Sequence, residues 1–517
     1  MAESYLIGVD IGTYSSKGVL VSASSGEVLQ SCTVEHTLSM PKPGWVEHDP
    51  DDIWWGEFVQ ICNALILSTG IDPKHIRGIG VSGIGICVVP VDESGKALRN
   101  GILYGIDTRA TREIEFLESK IGRERIFQLS ASHLSSSVSG PKILWIKNHE
   151  PHIYEKARWF LSSHSYIIMR LTGKATIDNY SACGYAPLLD VEKRTWVKET
   201  AQWIAPLETL PQLAWSCDVV GLVTDQAASA TGLAAGTPVI SGAIDAAAEA
   251  ISAGLSQFGD MMMMFGSSNS IILKSDKLIR TDDFWALNWM ASGQYVVVGG
   301  MSTVGSLTRW FRDHLAEKER EAQQAGGPNA YAAMAALAAD SAPGANGLVA
   351  LPYFEGERTP FYDPLARGVL FGLKLKHTRA DIYRALLESV GFGIRHNVEA
   401  LRGFGLSPKR ILAVGGATKN LEWMQIISTI AGIELIIPEK QIGSSYGDAI
   451  MAAVGIGILN DLTESAKWIH YQQKITPQTS PSNTYDKMYT IYRELYQNTR
   501  HLLHDLSRLE SMEMEKK

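Results

Sequence analysis

Four short stretches of this chain bring together residue types suited to phosphates, protons and divalent cations. The first, Gly8-Val-Asp-Ile-Gly-Thr-Tyr-Ser-Ser-Lys17, ends an apolar run at Asp10 and bends through Gly12, Thr13, Ser15 and Ser16. Such a bend exposes backbone N–H groups and hydroxyls, as a phosphate requires, and an acid at its mouth can hold a metal ion through water. A second stretch, Thr237-Pro-Val-Ile-Ser-Gly-Ala-Ile-Asp245, sets an acid where a strand passes into an Ala-rich helix. There it meets backbone donors and the positive end of the helix dipole, either as a reactive carboxylate or as a plain N-cap. A third, Phe265-Gly-Ser-Ser-Asn-Ser270, repeats the design of the first, and a fourth, Gly415-Gly-Ala-Thr418, follows the apolar run 410–414. Glycines in that last turn allow close approach to a flat base or ribose, or simply of a helix to a strand.

Strands must hold these turns. The runs 6–9 and 17–21 predict a hairpin around the first turn, an ordinary edge hairpin being the alternative, and 261–265 with 270–273 predict another. No G-x-x-x-x-G-K-[ST] occurs, so neither is a Walker A loop. Two Gly/Ser hairpins of one design predict a duplicated α/β domain whose copies face each other across a cleft and grip successive phosphates of one nucleotide. Around them the pattern predicts a strand at 27–37, a helix from a cap at Asp51 or Asp52 to about 68, a buried strand at 76–82 continued by 87–90, and a strand at 102–104. A Pro-started helix is expected over 137–149, loop over 210–235, a strand at 239–241 leading to the helix at Asp245, and a helix over 421–431. The Ala- and charge-rich 313–340, broken at Gly326-Gly-Pro328, reads as a solvated surface element. The last segment, 483–517, has helical apolar spacing and is expected to pack on the body, a homodimer interface being the alternative.

Composition narrows the class. At 517 residues the chain is expected to form two or three domains, divided here as 1–243 and 244–517. A net charge of −8 without a basic run argues against nucleic acid, and no apolar stretch approaches the roughly 20 residues of a membrane span. Five cysteines, at 32, 62, 87, 183 and 217, lack metal-ligand spacing and, with no signal peptide, point to free thiols in a reducing cytoplasm.

In number, order and spacing these motifs resemble the FGGY carbohydrate kinases of the actin-like ATPase superfamily, over nearly the whole chain. Gly8-Val-Asp-Ile-Gly-Thr13 and Phe265-Gly-Ser-Ser-Asn269 resemble the family's two phosphate hairpins. Residues 137–149 resemble its first signature, with Lys142, Trp145 and His149 in place. Gly368-Val-Leu-Phe-Gly-Leu373 resembles the second, preceded by Gly356-Glu-Arg-Thr-Pro360. The resemblance implies an α/β fold of two actin-like (ribonuclease H-like) domains flanking an ATP/sugar cleft, which closes to phosphorylate a sugar or polyol hydroxyl. It implies Asp245 as general base and Asp10 holding Mg²⁺ through water. Gly12, Thr13, Tyr14, Ser15, Lys17, Gly266, Ser267 and Ser268 would then bind the ATP phosphates, and Gly415, Gly416, Ala417 and Asn420 the adenosine side. Asp107, Asp245, Gly85 and Trp45, together with the Gly356 to Pro360 block, form the expected sugar side.

Among family branches the pattern is most similar to the xylulokinases, so D-xylulose leads, ahead of another ketose, a polyol or a sugar acid. Yet Ser82-Gly-Ile-Gly-Ile-Cys87 stands where xylulokinases carry Gln-Met-His and glycerol kinases an Arg-Glu pair. Losing polar partners changes which hydroxyl pattern a site accepts. Ser267 replaces a usual threonine, Ala417 a usual glycine, and Tyr14 is bulky for its turn. A non-catalytic ATP-driven switch is the reading from another class, and it has no use for a sugar side.

Overall fold

In the computed structural model, which describes residues 3–514, the first apolar run becomes strand β1 (Tyr5–Ile11). It pairs antiparallel with β2 (Ser15–Ser22), and β2 pairs with β3 (Val28–Glu35). On the other side of β1, β4 (Ile76–Gly83) runs parallel; with β5 (Val219–Leu222) and β6 (Pro238–Ile240) the main path of the sheet is β5-β6-β4-β1-β2-β3. β1 and β4 are buried along nearly their whole length, as parallel strands covered on both faces must be.

A second sheet repeats this plan. β7 (Asp260–Phe265) and β8 (Asn269–Ser275) form an antiparallel hairpin, extended by β9 (Trp285–Asn288) and β10 (Tyr295–Gly299). Beyond β7, β11 (Arg410–Val414) and β12 (Glu434–Pro438) are parallel, with β13 (Tyr471–Ile475) at the edge. The order is β9-β10-β8-β7-β11-β12-β13. Each sheet thus sets parallel strands beside the first strand of a Gly/Ser hairpin, which is the duplication read from the sequence.

The principal helices are α1 (Glu57–Thr69), α2 (Ser139–His149), α3 (Asp245–Ser252), α4 (Gly305–Leu315), α5 (Ala330–Ala339), α6 (Arg379–Gly403), α7 (Leu421–Ala431), α8 (Ser444–Gly455) and α9 (Ser482–Met514). Of these, α3 and α8 pack on each other and join the two sheets. One apolar core runs through them, from Leu6, Val19 and Val21 to Met262, Leu412 and Ile436. Alanines 247, 248, 250, 449, 452 and 453 keep the approach close, and glycine takes it further. A Cβ at Gly8 would lie 1.9 Å from the Ser445 carbonyl oxygen, and one at Gly447 1.9 Å from that of Ala248. Both neighbours are backbone and cannot swing aside. Gly8→Ala is therefore expected to destabilise the fold by about 3 kcal/mol, read as a lower denaturant midpoint at an unchanged slope.

Several expectations change in the structure. Asp49, not Asp51 or Asp52, caps the first helical turn, because Pro50 starts the helix and leaves the capping place to the residue before it. Asp51 instead accepts from the Tyr166 hydroxyl at 2.6 Å. Val89–Val91 leaves the main sheet and pairs with Trp159–Leu161, so 87–90 does not continue β4. The strand expected at 102–104 shrinks to Gly101–Ile102. The supposed loop 210–235 contains β5 and a helix, Asp225–Thr231. Glu317–Gln324 is exposed as expected, but α5 buries Ala330, Met334 and Ala338. The last helix packs on its own chain through Tyr485, Tyr489, Tyr492 and Leu495, and the expected end at 515–517 lies outside the described residues. Among the described residues, no helix is long and apolar enough to cross a membrane.

Candidate active site

The first hairpin turns sharply at its tip. Gly12 N donates to the Ser15 carbonyl at 3.0 Å, and a Cβ on Gly12 would crowd that oxygen at 2.6 Å. Thr13 Oγ1 lies 3.3 Å from the Tyr104 hydroxyl, whereas Tyr14 stays 64% exposed. Register sets what surrounds Asp10: it pairs across to Lys17 on β2 and to Ser82 on β4. Lys17 Nζ donates to the Ile442 carbonyl at 2.5 Å.

Four carboxyl groups meet here. Asp10 Oδ1 is 3.0 Å and Asp448 Oδ2 2.7 Å from the same Ser82 hydroxyl. That hydroxyl has one hydrogen, so when it donates to Asp10 the contact with Asp448 is completed by a proton on Asp448. Burial holds Asp448 well above the usual carboxylate range, with Asp10 adding to the shift. Burial likewise raises Asp10, with Asp245 next in size, and raises Asp245 against the opposing pull of Ala246 N–H and His164. Glu249, one turn along α3, is raised by burial and by Asp245. Asp245 is not the N-cap; that place falls to Ile244, and Asp245 is the first residue of α3, its Oδ1 accepting from Ala246 N at 2.7 Å. Among the described residues, no hydrogen bond engages its other oxygen. Among the described residues, no group of three His, Cys, Asp or Glu side chains is placed to bind a metal ion directly.

The second hairpin is held from behind. Ser267 O accepts from Val304 N and Ser306 N at 3.0 Å each, and Gly266 O from Gly305 N at 2.9 Å. In front of it opens a cavity of about 630 Å³, lined by Gly266, Ser267, Gly416, Ala417 and Asn420 together with Gly305, Thr308 and Arg309 of α4, Tyr331 of α5, and Lys419. This is a volume suited to a small organic ligand. Asn420 also caps α7 by accepting from Trp423 N at 3.0 Å. Gly415 lies just outside the lining, at φ +98°, where a Cβ would stand 2.6 Å from the Phe265 carbonyl. It serves the approach of turn to hairpin. Ser268 too is not in the lining; its carbonyl accepts from Gly266 N at 3.0 Å.

The sugar-side expectations divide. Gly85 lies against the junction just before Asp245, since a Cβ there would meet Ile244 at 2.3 Å. Asp107, by contrast, has no exposed surface; it accepts from Val46 N at 2.7 Å and from Arg109 Nε at 2.9 Å. Trp45 packs edge-on against Trp145 at 5.0 Å, with the Arg109 guanidinium 4.1 Å from its ring centre. Both therefore brace the 43–50 loop. The Gly356 to Pro360 block is not on the sugar side at all: Arg358 and Glu357 contact the second hairpin and the segment after β10. Sequence reasoning missed Tyr104, which faces Asp245 and Thr13 and is set by buried Lys142, whose Nζ donates to the carbonyls of Leu103 at 2.5 Å and Tyr104 at 2.8 Å. It also missed Arg309 and Lys419, cations of the cavity wall with no ion pair among the described residues. An aromatic at the end of the run before Asp107-Thr-Arg109 was the available signal for Tyr104; Arg309 and Lys419 had none.

Comparison with known proteins agrees with this architecture. The N-terminal domain model of the FGGY family of carbohydrate kinases matches residues 5–252 and the C-terminal domain model residues 261–456. The xylulose kinase of Bacillus subtilis (strain 168) is 29% identical over 503 residues, 96% of this chain and 98% of that protein. The gluconokinase of the same organism is 26% identical over 497 residues, 95% of each. The crystal structure of xylulose kinase from Rhodospirillum rubrum matches with a TM-score of 0.89 at 32% identity, over 97% of this chain and 100% of that one. The chain belongs to the FGGY family of carbohydrate kinases. It is an ATP-dependent phosphotransferase whose acceptor is an alcohol group of a carbohydrate, and the switch reading falls.

Proposed function

We propose that this kinase phosphorylates a ketopentose, D-xylulose first, with Asp245 taking the proton of the acceptor hydroxyl. The observation that carries this reading is a carboxylate with one oxygen tied to Ala246 N and the other untied, beside the donor-rich turn at Asp10. Phosphoryl transfer depends chiefly on alignment and on neutralising charge, with proton removal as a further help. Gly12, Thr13 and Ser15 on one side, and Gly266, Ser267 and Ser268 on the other, supply phosphate donors; Arg309 and Lys419 add charge. Lys17, tied to Ile442, is assigned to the phosphate side as well, and exposed Tyr14 to the cleft mouth. Gly416, Ala417 and Asn420 take the adenosine, with Gly415 shaping the turn. Tyr104 and Gly85 border the acceptor. Four carboxyl groups beside one lysine fit a divalent cation held by Asp10 through water; Mg²⁺ bound there neutralises phosphate charge. We divide the halves at 243/244, one hairpin in each, and assign the enzyme to the cytoplasm on its five free thiols.

An ATP-coupled screen of pentuloses, hexuloses, polyols and sugar acids tests the substrate. D-xylulose is expected to give the highest kcat/KM; a sugar acid or polyol in first place would replace it without touching the chemistry. The pH profile tests the base. Because Asp245 is held above the ordinary aspartate range, its basic form is lost as pH falls through that raised value. The acid limb of kcat/KM is expected above about pH 5, with a slope of one. A profile flat down to about pH 4 would remove a raised carboxylate from the reaction.

A further inference from the structure

The Gly356 to Pro360 block has so far no part in the reaction, yet it is built into the second phosphate hairpin. One nitrogen of Arg358, Nη2, donates to the carbonyls of Asn269 and Met301, both at 2.8 Å. Glu357 Oε1 accepts from Ser302 N at 2.9 Å and Arg358 N at 2.8 Å. Thr359 Oγ1 accepts from Gly300 N at 2.9 Å and donates to Asn397 Oδ1 on α6 at 2.7 Å. Asn269 follows directly on the turn that presents Gly266 and Ser267 to the cavity, and its own N donates to the Met301 carbonyl at 2.9 Å, so the segment after β10 lies against that turn. The block is in turn tied to the last helix. Glu357 and Asp363 exchange backbone hydrogen bonds at 2.9 Å each. Asp363, itself buried, accepts from the Tyr496 hydroxyl at 2.5 Å and lies 2.8 Å from His504 Nε2, with Arg500 at 3.7 Å. Phe361 stacks on Tyr496 at 4.5 Å. A continuous hydrogen-bonded run therefore joins α9 to the hairpin.

We propose that Arg358 and Glu357 are positioning residues for the second phosphate hairpin, and that α9 keeps them in register through Asp363. This rests on the reading that the hairpin grips the nucleotide. Backbone N–H groups stabilise a phosphate only when they are already aimed at it, and a carbonyl that rotates toward the phosphate repels it. Arg358 ties back two carbonyls beside the turn, and Glu357 fixes the amides of Ser302 and Arg358. Their effect should fall on ATP and ADP and leave the sugar untouched.

The test uses the full-length chain, with Mg-ADP affinity from calorimetry and separate KM values for ATP and for the best sugar. Arg358→Met is expected to weaken Mg-ADP and raise KM for ATP about tenfold, with KM for sugar within about twofold. Arg358→Lys, which returns a cationic donor to the same carbonyls, is expected to recover most of that loss. Tyr496→Phe removes a single hydroxyl from Asp363 and is expected to move KM for ATP about threefold in the same direction. It also decides the matter where Arg358→Met fails to fold. Equal rises in both KM values, or unchanged Mg-ADP affinity in folded variants, would overturn the proposal. A wild-type chain that bound no Mg-ADP would sink the underlying reading first, before any substitution is made.

Discussion

Asp245→Asn is expected to lower kcat by about a hundred- to ten-thousandfold while leaving the fold intact. Asparagine keeps the Oδ1 that accepts from Ala246 N at 2.7 Å, so the side chain stays seated at the start of α3. What disappears is the untied oxygen and its capacity to take a proton. The loose transition state of phosphoryl transfer favours the lower end of that range, because the acceptor holds its proton until late. A second readout separates base from scaffold. Asp245 is one of the charges that raise Asp10, Glu249 and Asp448, so its loss leaves fewer negative charges facing ATP. Affinity for Mg-ATP should hold or tighten as kcat falls. A variant within about twofold of wild type in kcat would deny Asp245 the role of base.

Much of this site is local enough to be read along the chain. The two hairpins are each built from contiguous residues, an apolar run, a Gly/Ser turn and a second run, and they stand at Tyr5–Ile11 with Ser15–Ser22 and at Asp260–Phe265 with Asn269–Ser275. The Gly415 turn and the junction at Asp245 are local in the same sense. What was hidden depends on long-range register. Asp448 sits in an Ala-rich helix that looks like ordinary core, and only the packing of α8 against β1 and β4 brings it within 2.7 Å of the Ser82 hydroxyl. Arg358 and Glu357 lie near a sugar-kinase motif in sequence, but their bonds to Ser302 and Asn269, with Thr359 bonded to Asn397 of α6, set them against the second hairpin. Asp107 shows the converse error. An acid next to a family loop invites a ligand, yet its oxygens are engaged by Val46 N and Arg109. Adjacency along the chain reports which residues travel together; it does not report which way the element faces.

The Asp10→Asn chain is expected to lose activity about a thousandfold and yet to be the more stable protein when no ligand is bound. Both signs come from the same crowding. Asp10 is raised by burial and by Asp245; Ser82 and Lys17 pull the other way without cancelling it. A carboxyl held above its unfolded value binds its proton more tightly in the folded state. The stability this confers is complete below the unfolded value of about 4 and is lost as pH rises through the raised folded value. Wild type should therefore weaken from about pH 5 upward, and the asparagine variant, which still accepts from Ser82, should weaken less, since only the burial-raised Asp245, Glu249 and Asp448 remain to titrate. The gap at alkaline pH is expected to be on the order of 1 kcal/mol, small because Asp10 keeps some contact with solvent. Denaturant unfolding at two pH values measures it directly. Mg-ADP should then stabilise wild type and fail to stabilise the variant, since the charge that repels its neighbours is the one that would hold the cation. Equal stability of the two proteins at alkaline pH would mean that Lys17 already neutralises Asp10, and the case for a cation there would go with it.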